Sequence, residues 1–195
     1  MSVVDDRIKM ADENTRVLDA MFEAFEGRPI LEGMRIEVVE GDVHMTPQRN
    51  VHWQIIRRVL HALDDRFGRD TLVMSDVRVD FPGFRNAFCP DVAKFRDGAQ
   101  PDDEGRWQHA DIEFIAEVIS KGTAQNDYGP KKTTYAKAEI PLYLIADPYQ
   151  RKVHVYTQPK NGGYEVESVV AFGRDVDLTD TVLGLTLKTA DFPCE

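Results

Sequence analysis

Residues 112–119 read IEFIAEVI, an almost continuous apolar stretch that carries Glu117 near its end. Apolar side chains at both odd and even positions are typical of a central strand that is covered on both faces. An unpaired carboxylate in such an interior costs several kcal/mol. Glu117 therefore indicates a nearby metal ion, another cation or a water-filled cleft. Pairing with a buried arginine and exposure of one strand face are the structural alternatives.

The segments on either side of this strand alternate between helical and extended patterns. Amphipathic helices are predicted at 12–26, 50–67 and 127–139. Strands are predicted at 72–75, 77–81, 90–95 and 142–146, hairpins at 35–45 and 153–170, and loops around Asn86 and at 96–110. Leu185, Leu187 and Phe192 indicate a final packing segment. We expect an α/β fold with a mixed central sheet flanked by helices and an extra hairpin toward each end.

Length and composition restrict the class of protein. The 195 residues, 42% hydrophobic and 30% charged, suit one globular domain over 1–195, in which 1–29 is a helical extension. The chain has no apolar stretch long enough to span a membrane. Cys89 and Cys194 lack metal-type spacing, which indicates free thiols and a reducing cytoplasm. The net charge of −10 argues against strong sequence-independent binding to nucleic acid.

Asp91 opens the predicted strand at 90–95, directly after Pro90. Alone it is as easily a turn residue. Two carboxylates at the ends of neighbouring strands, Asp91 and Glu117, would however form an all-oxygen site suited to Mg²⁺ or Mn²⁺. Such an ion offsets charge on a phosphoryl oxygen and lowers the pKa of a bound water.

Lys131 lies near the start of a predicted helix, where a cation opposes the macrodipole by roughly 0.3–1 kcal/mol. A functional lysine there would stabilise transition-state charge, whereas a solvated lysine beside Lys132 is the alternative. Asp127, Lys131 and Tyr135 share one helical stripe if the helix begins at Asp127. If Pro130 is the first helical residue, Asp127 lies upstream and Lys131 stays in the first turn.

Two further polar residues are candidates of lower rank. Glu37 lies in the first predicted hairpin, where it is otherwise an exposed strand residue. His52 lies in the first turn of the helix at 50–67, next to Val51, and a surface or packing histidine is the more common case.

The segment from 117 to 148 resembles the Uma-two family, a group of bacterial endonucleases assigned to the PD-(D/E)XK nuclease superfamily. The resemblance covers roughly residues 30–190, and upstream it includes Pro90-Asp91-Val92-Ala93 and Glu37 through Gly41. Its most specific residues are Glu117-Val118-Ile119-Ser120, Thr123, Asp127, Gly129, Lys131, Tyr135, Ala136, Pro141, Tyr143, Asp147 and Pro148.

The resemblance implies a restriction-endonuclease-like core at 30–190 that hydrolyses DNA with Mg²⁺ or Mn²⁺. Asp91 and Glu117 would bind the metal, and Glu37 would be an additional acidic residue. Lys131 would stand in for the lysine that most of the superfamily places two residues after the glutamate, where this chain has Ile119. His52, Asp127 and Tyr135 would be secondary members of the site.

Two alternatives to this nuclease stay open at the level of sequence. The acidic balance and the missing strand lysine favour a catalytically inactive nuclease-fold module that binds nucleic acid or protein. A carboxylate pair could also support metal-free acid–base hydrolysis. The form of the substrate and a homodimeric state are undetermined by the residues.

Overall fold

The computed structural model describes residues 3–25, 34–47 and 50–194. Its helical segments are α1 (Val3–Glu23), α2 (Asn50–Phe67), α3 (Ala124–Asn126), a π-helical turn (Asp127–Lys131), α4 (Lys132–Lys137) and a 3₁₀ turn (His109–Asp111). Its strands are β1 (Met34–Val39), β2 (Asp42–Pro47), β3 (Val73–Met74), β4 (Val79–Phe81), β5 (Asn86–Phe88), β6 (Val92–Phe95), β7 (Trp107–Gln108), β8 (Ile112–Val118), β9 (Leu142–Asp147), β10 (Lys152–Lys160), β11 (Gly163–Ala171), β12 (Val176–Leu178) and β13 (Leu185–Leu187).

The larger sheet has six strands in the order β11-β10-β9-β8-β6-β3. Strand β8 runs parallel to β9 and antiparallel to β6. The sheet is therefore mixed, and β8 lies inside it with a partner on each side. Nearly all of β8 is buried, as its apolar sequence predicts. The predicted α/β fold class, a mixed central sheet flanked by helices, is confirmed.

Each face of this sheet has its own apolar layer. On one face, α2 contributes Ile55, Ile56, Val59 and Leu63, which pack on Phe114, Ala116 and Val118 of β8 and on the hairpin β12–β13. On the other face, Ile115 of β8 and Tyr143 of β9 pack on Tyr135 of α4 and Phe88 of the second sheet. Because side chains alternate along a strand, Glu117 belongs to the face of Ile115.

The second sheet has five strands in the order β2-β1-β5-β4-β7. On one side of it, Leu18 of α1 packs against Val38 and Ala87. Val39, the next residue of β1, packs with Ile115 of the larger sheet instead. Arg35 and Glu37 have the same parity as Val39, so β1 directs them into the space between the two sheets.

Several elements differ from the sequence-based prediction. Helix α1 begins at Val3 rather than near residue 12. Strand β5 lies where a loop was predicted around Asn86, because pairing with β1 and β4 holds it. The predicted helix at 127–139 instead starts at Ala124 and ends at Lys137. None of the helices in the described ranges combines the length and apolar character that crossing a membrane requires.

Candidate active site

Asp91 and Glu117 lie side by side where β6 and β8 pair. The pairing of Val92 with Ala116 brings them together. The Asp91 backbone N–H donates to Glu117 Oε2 at 3.3 Å, and the Val118 N–H donates to Asp91 Oδ2 at 2.6 Å. Both side chains are almost completely buried. The two acids therefore share one pocket between the sheets rather than pointing to opposite faces.

Lys131 completes this pocket from the helical connection between β8 and β9. Its Nζ lies 2.6 Å from Glu117 Oε1, 3.1 Å from Glu37 Oε1 and 3.1 Å from Asp127 Oδ1. An ammonium group has three donors and no acceptor, and three carboxylates lie within ion-pair distance of this one. The alternative of a solvated lysine is wrong, because only 1% of the side chain is exposed.

Asp127 and Lys131 bound the π-helical turn, which contains Pro130. Proline has no N–H, so it cannot complete an ordinary helical hydrogen bond at this position. π-Helical turns occur frequently at functional sites. Here the turn starts at Asp127, and its two terminal residues form an ion pair while α3 extends the helical path upstream.

The remaining carboxylate of the cluster, Glu37, comes from the other sheet. Its Oε1 accepts hydrogen bonds from the Cys89 N–H at 2.9 Å and from Lys131 at 3.1 Å. Glu37 is 5% exposed, so the alternative of an exposed strand residue is wrong. The site thus joins the two sheets through polar contacts.

The side chains of His52 and Tyr135 contact the two central acids and position them. His52 Nε2 lies 3.1 Å from Asp91 Oδ2 and also contacts the Val118 carbonyl oxygen. The Tyr135 hydroxyl donates to Glu117 Oε1 at 2.6 Å. His52 is buried rather than on the surface, and it links α2 to the ends of β6 and β8. The structure therefore brings all seven predicted site residues together, while their roles stay predictions.

Arg35 is the member of this cluster that the sequence-based prediction did not include. Its Nη1 pairs with Asp91 Oδ1 and donates to the Cys89 carbonyl oxygen at 3.3 Å. A signal was available, because Arg35 precedes Glu37 by two residues in an alternating strand and must share its face. Arginine near a buried acid had been considered for Glu117, whereas the guanidinium pairs with Asp91.

Burial and neighbouring charge set the ionisation of the two central acids differently. Burial acts to raise the pKa of Asp91, but the Arg35 guanidinium, His52 and the Val118 N–H outweigh it and lower that pKa. Burial also raises the pKa of Glu117, and Lys131 offsets this only in part because Asp91 and other carboxylates repel the charge. Two adjacent acids held at different pKa values are typical of catalytic pairs.

Burial and neighbouring charge also set the pKa values of the basic side chains, Lys131 and His52. Burial acts to lower the pKa of Lys131, but Glu117, Glu37 and Asp127 raise it well above its usual value. Burial likewise acts to lower the pKa of His52, and its hydrogen bond with Asp91 outweighs burial and raises it.

We name Arg35, Glu37, Asp91, Glu117, Asp127 and Lys131 the charge cluster. It holds four carboxylates and two cations, so its acidic groups outnumber its basic groups.

The oxygen atoms of the cluster are the kind of ligand that a hard divalent cation binds. Carboxylates on adjacent strands and the Val118 carbonyl are oxygen ligands, which Mg²⁺ and Mn²⁺ prefer. The excess of carboxyl groups over cationic groups in the cluster also favours a divalent ion. In the described ranges no group of three or more His, Cys, Asp or Glu side chains is arranged to bind a metal. Arg35 and Lys131 instead contact the Asp91 and Glu117 oxygens.

Comparison with known proteins supports the same family. The Uma2 family model, described as "Putative restriction endonuclease", matches residues 21–190. A crystal structure described as a putative nuclease belonging to DUF820, from Anabaena variabilis ATCC 29413, is similar with a TM-score of 0.63 and 17% identity, covering 80% of this chain and 88% of that one. No curated protein matches the chain. With the fold and most of its length matched, the chain belongs to the Uma2 family, whose restriction-endonuclease-like fold it shares.

Proposed function

We propose that this protein is a metal-dependent endonuclease that hydrolyses phosphodiester bonds of DNA, with Asp91 and Glu117 as ligands of Mg²⁺ or Mn²⁺. One observation carries the proposal. The two carboxylates meet in one buried pocket with the Lys131 ammonium 2.6 Å from Glu117. Membership of the Uma2 family supports a nuclease, whereas the ion and the DNA substrate are part of the proposal. A cytoplasmic location and a homodimeric state are compatible with it and await measurement.

The residues of the site would have separate roles in metal binding and in orienting the metal ligands. Asp91 and Glu117 would hold a divalent ion, which supplies Lewis acidity at the scissile phosphate when bound. His52 and the Val118 N–H orient Asp91, and Tyr135 orients Glu117. Fixed orientation matters because a catalytic group displaced by about 1 Å can lose a hundredfold in rate.

Lys131 would stabilise charge that develops on the phosphate as water adds to phosphorus and one P–O ester bond breaks. Glu37 and Asp127 keep its ammonium charged and in place. The lysine thus reaches the acids from the helix rather than from the strand, where Ile119 occupies the superfamily position and is buried.

The test is cleavage of plasmid and oligonucleotide DNA with Mg²⁺, Mn²⁺ or EDTA. We expect cleavage that EDTA abolishes, and a loss of at least about a hundredfold in Asp91→Asn and Glu117→Gln. Glu165→Gln provides the control, since this carboxylate of β11 is half exposed and pairs with Lys160 of β10. Equal cleavage by all four proteins would contradict the proposal.

An inactive module that binds nucleic acid or protein is the second candidate. The net charge of −10 and the two cations on the acid oxygens favour it. This candidate predicts no cleavage with any divalent ion and no change in melting temperature with Mg²⁺ or Mn²⁺. Stabilisation by Mn²⁺ that disappears in Asp91→Asn would instead support the nuclease.

A further inference from the structure

Arg35 contacts Asp91 from a different side than the other partners of this acid. It comes from β1, its side chain is 8% exposed, and its Nη1 pairs with Asp91 Oδ1. The other Asp91 oxygen, Oδ2, accepts from the Val118 N–H and contacts His52. Arg35 is therefore the side-chain cation that occupies the Oδ1 side of Asp91.

The outer side of Arg35 borders a cleft that opens to solvent. This cleft has a volume of about 500 Å³ and is lined by Phe22, Met34, Arg35, Ile36, Asp76, Arg78 and Cys89. Asp76 offers a second carboxylate, because its Oδ1 already lies 3.4 Å from Arg35 Nη1. The Asp76 side chain is 27% exposed, against 1% for Asp91. Arg35 thus has both an inner and an outer acidic partner.

A guanidinium and a divalent cation cannot both approach Asp91 Oδ1 at contact distance, since the two cations would repel each other strongly in a buried pocket. Arginine remains charged at any working pH, so deprotonation cannot relieve this repulsion. The conflict is resolved if Arg35 moves.

We propose that Arg35 is the resident counter-cation of Asp91, that a divalent cation must displace it, and that it then turns toward Asp76 and the cleft. This inference rests on the metal site of the proposed function. It assigns Arg35 as a positioning residue that lowers the apparent metal affinity and stabilises the metal-free chain.

The experiment measures Mn²⁺ binding by isothermal titration calorimetry, without DNA. We expect Arg35→Met to bind Mn²⁺ roughly tenfold more tightly than the parent, which corresponds to about 1.4 kcal/mol. Arg35→Lys retains a charge but lacks the planar fork, and its affinity should lie between the two. If Arg35→Met does not fold, Arg35→Lys still decides, because it must bind more tightly than the parent.

Arg78→Met is the matched control. Arg78 lines the same cleft, but its partners are Asp19 and Asp80 rather than Asp91. Arg78→Met removes one positive charge from the same cleft, as Arg35→Met does. Because Arg78 does not pair with Asp91, the Mn²⁺ affinity of Arg78→Met should differ from that of the parent by less than about twofold. An equal gain in Arg78→Met would show a general charge effect and overturn the inference.

The outcomes separate this inference from the proposed function. Mn²⁺ binding that requires Asp91 but is unchanged or weaker in both Arg35 variants overturns the displacement and leaves the nuclease intact. Tighter binding in those variants without DNA cleavage supports the displacement and contradicts the nuclease. Absence of Mn²⁺ binding in every variant overturns both.

A second measurement follows the side chain itself. Phenylglyoxal modifies accessible guanidinium groups, and mass spectrometry locates the modified residue. Arg35 should become more reactive when Mn²⁺ is present, while Arg78 should not change. Equal or lower reactivity of Arg35 with Mn²⁺ would show that it stays on Asp91.

Discussion

Lys131 is buried among three carboxylates, and these neighbours determine what its loss does. Replacing it with methionine preserves volume but leaves Glu117, Glu37 and Asp127 without their common cation. Breaking a buried ion pair by removing one partner costs about 3–5 kcal/mol. We expect Lys131→Met to lose stability of that order in EDTA, measured by urea unfolding.

Mn²⁺ should restore much of this loss, because a divalent ion neutralises the buried acids that have lost their cation. Lys94→Met is the matched control. Lys94 is also buried, 2.6 Å from Glu113, but lies outside the charge cluster. Its variant should lose stability without any additional response to Mn²⁺. The same response in both variants would contradict the idea that the cluster binds the ion.

Glu117 makes stability depend on pH in a direction that can be worked out. Burial raises its pKa from 4.5 to about 8, so the folded chain binds more protons than the unfolded chain between these values. Stability therefore falls as pH rises through this window. Glu117→Gln removes the titrating group, keeps the shape and still accepts from Tyr135.

We expect Glu117→Gln to be more stable than the parent at pH 8, because it carries no buried charge there, by about 1 kcal/mol, a usual size for a stabilising substitution. The gain should shrink toward pH 5, where the parent carboxyl is protonated. Urea unfolding at several pH values in EDTA measures this. Glu23→Gln, on the exposed side of α1, should show no such trend, and a gain independent of pH would refute the assignment.

At the scale of elements, Asn86 connects two turns of the five-stranded sheet. Its Oδ1 accepts from the Glu40 N–H at 2.8 Å, and its Nδ2 donates to the Pro82 carbonyl at 3.0 Å. The first contact fixes the β1–β2 turn and the second fixes the turn before β5. Because β1 carries Arg35 and Glu37, Asn86 helps to position these two members of the charge cluster.

The glycine in the second of these turns is required for two separate reasons. Gly83 has φ +113°, and a Cβ there would lie 2.7 Å from Asn86 Nδ2. Gly98 also has positive φ, +78°, but a Cβ would meet nothing within 4 Å. Gly83→Ala should cost about 2–3 kcal/mol and Gly98→Ala about 1 kcal/mol, by urea unfolding. Equal costs would show that backbone strain alone matters at Gly83.

Some elements were predictable because local pattern and tertiary packing agree. The spacing of apolar residues in α2 is uninterrupted, so the bounds 50–67 were predicted and observed. Strand β5 has no such local signal, since only three residues pair and Asn86 is a poor strand former. Its existence depends on pairing with β1 and β4, which single-sequence periodicity does not contain. The π-helical turn likewise contains Pro130 and a buried ion pair between its end residues, and apolar periodicity predicts neither the turn nor the pair.

At the scale of the whole molecule, the sequence predicted which acids and which lysine form the site. It did not predict how all of their charges are paired. A carboxylate in the apolar stretch of β8 implied a compensating cation, and Lys131 is one. The second cation, Arg35, comes from the other sheet, and which residues meet across two sheets is a property of the fold rather than of spacing. The net charge of −10 is consistent with a cluster whose acids outnumber its permanent cations.

Cys89 reports whether the two sheets stay closed over this cluster. Its backbone N–H donates to Glu37 at 2.9 Å and its carbonyl accepts from Arg35 at 3.3 Å. Burial, followed by the Glu37 charge, raises the pKa of its thiol to about 12. The thiolate is the reactive form, so a pKa about three units above the ordinary value leaves Cys89 roughly a thousandfold less reactive near pH 8.

We therefore expect native protein to show one fast thiol toward Ellman's reagent, Cys194, which is exposed, and a second only in denaturant. Cys194→Ser isolates the slow thiol, and Cys89→Ser isolates the fast one. In increasing urea the Cys89 rate should follow the population of opened chain. If native Cys194→Ser reacted as fast as native Cys89→Ser, the space between the sheets would be open to solvent, and the buried charge cluster would not exist in solution.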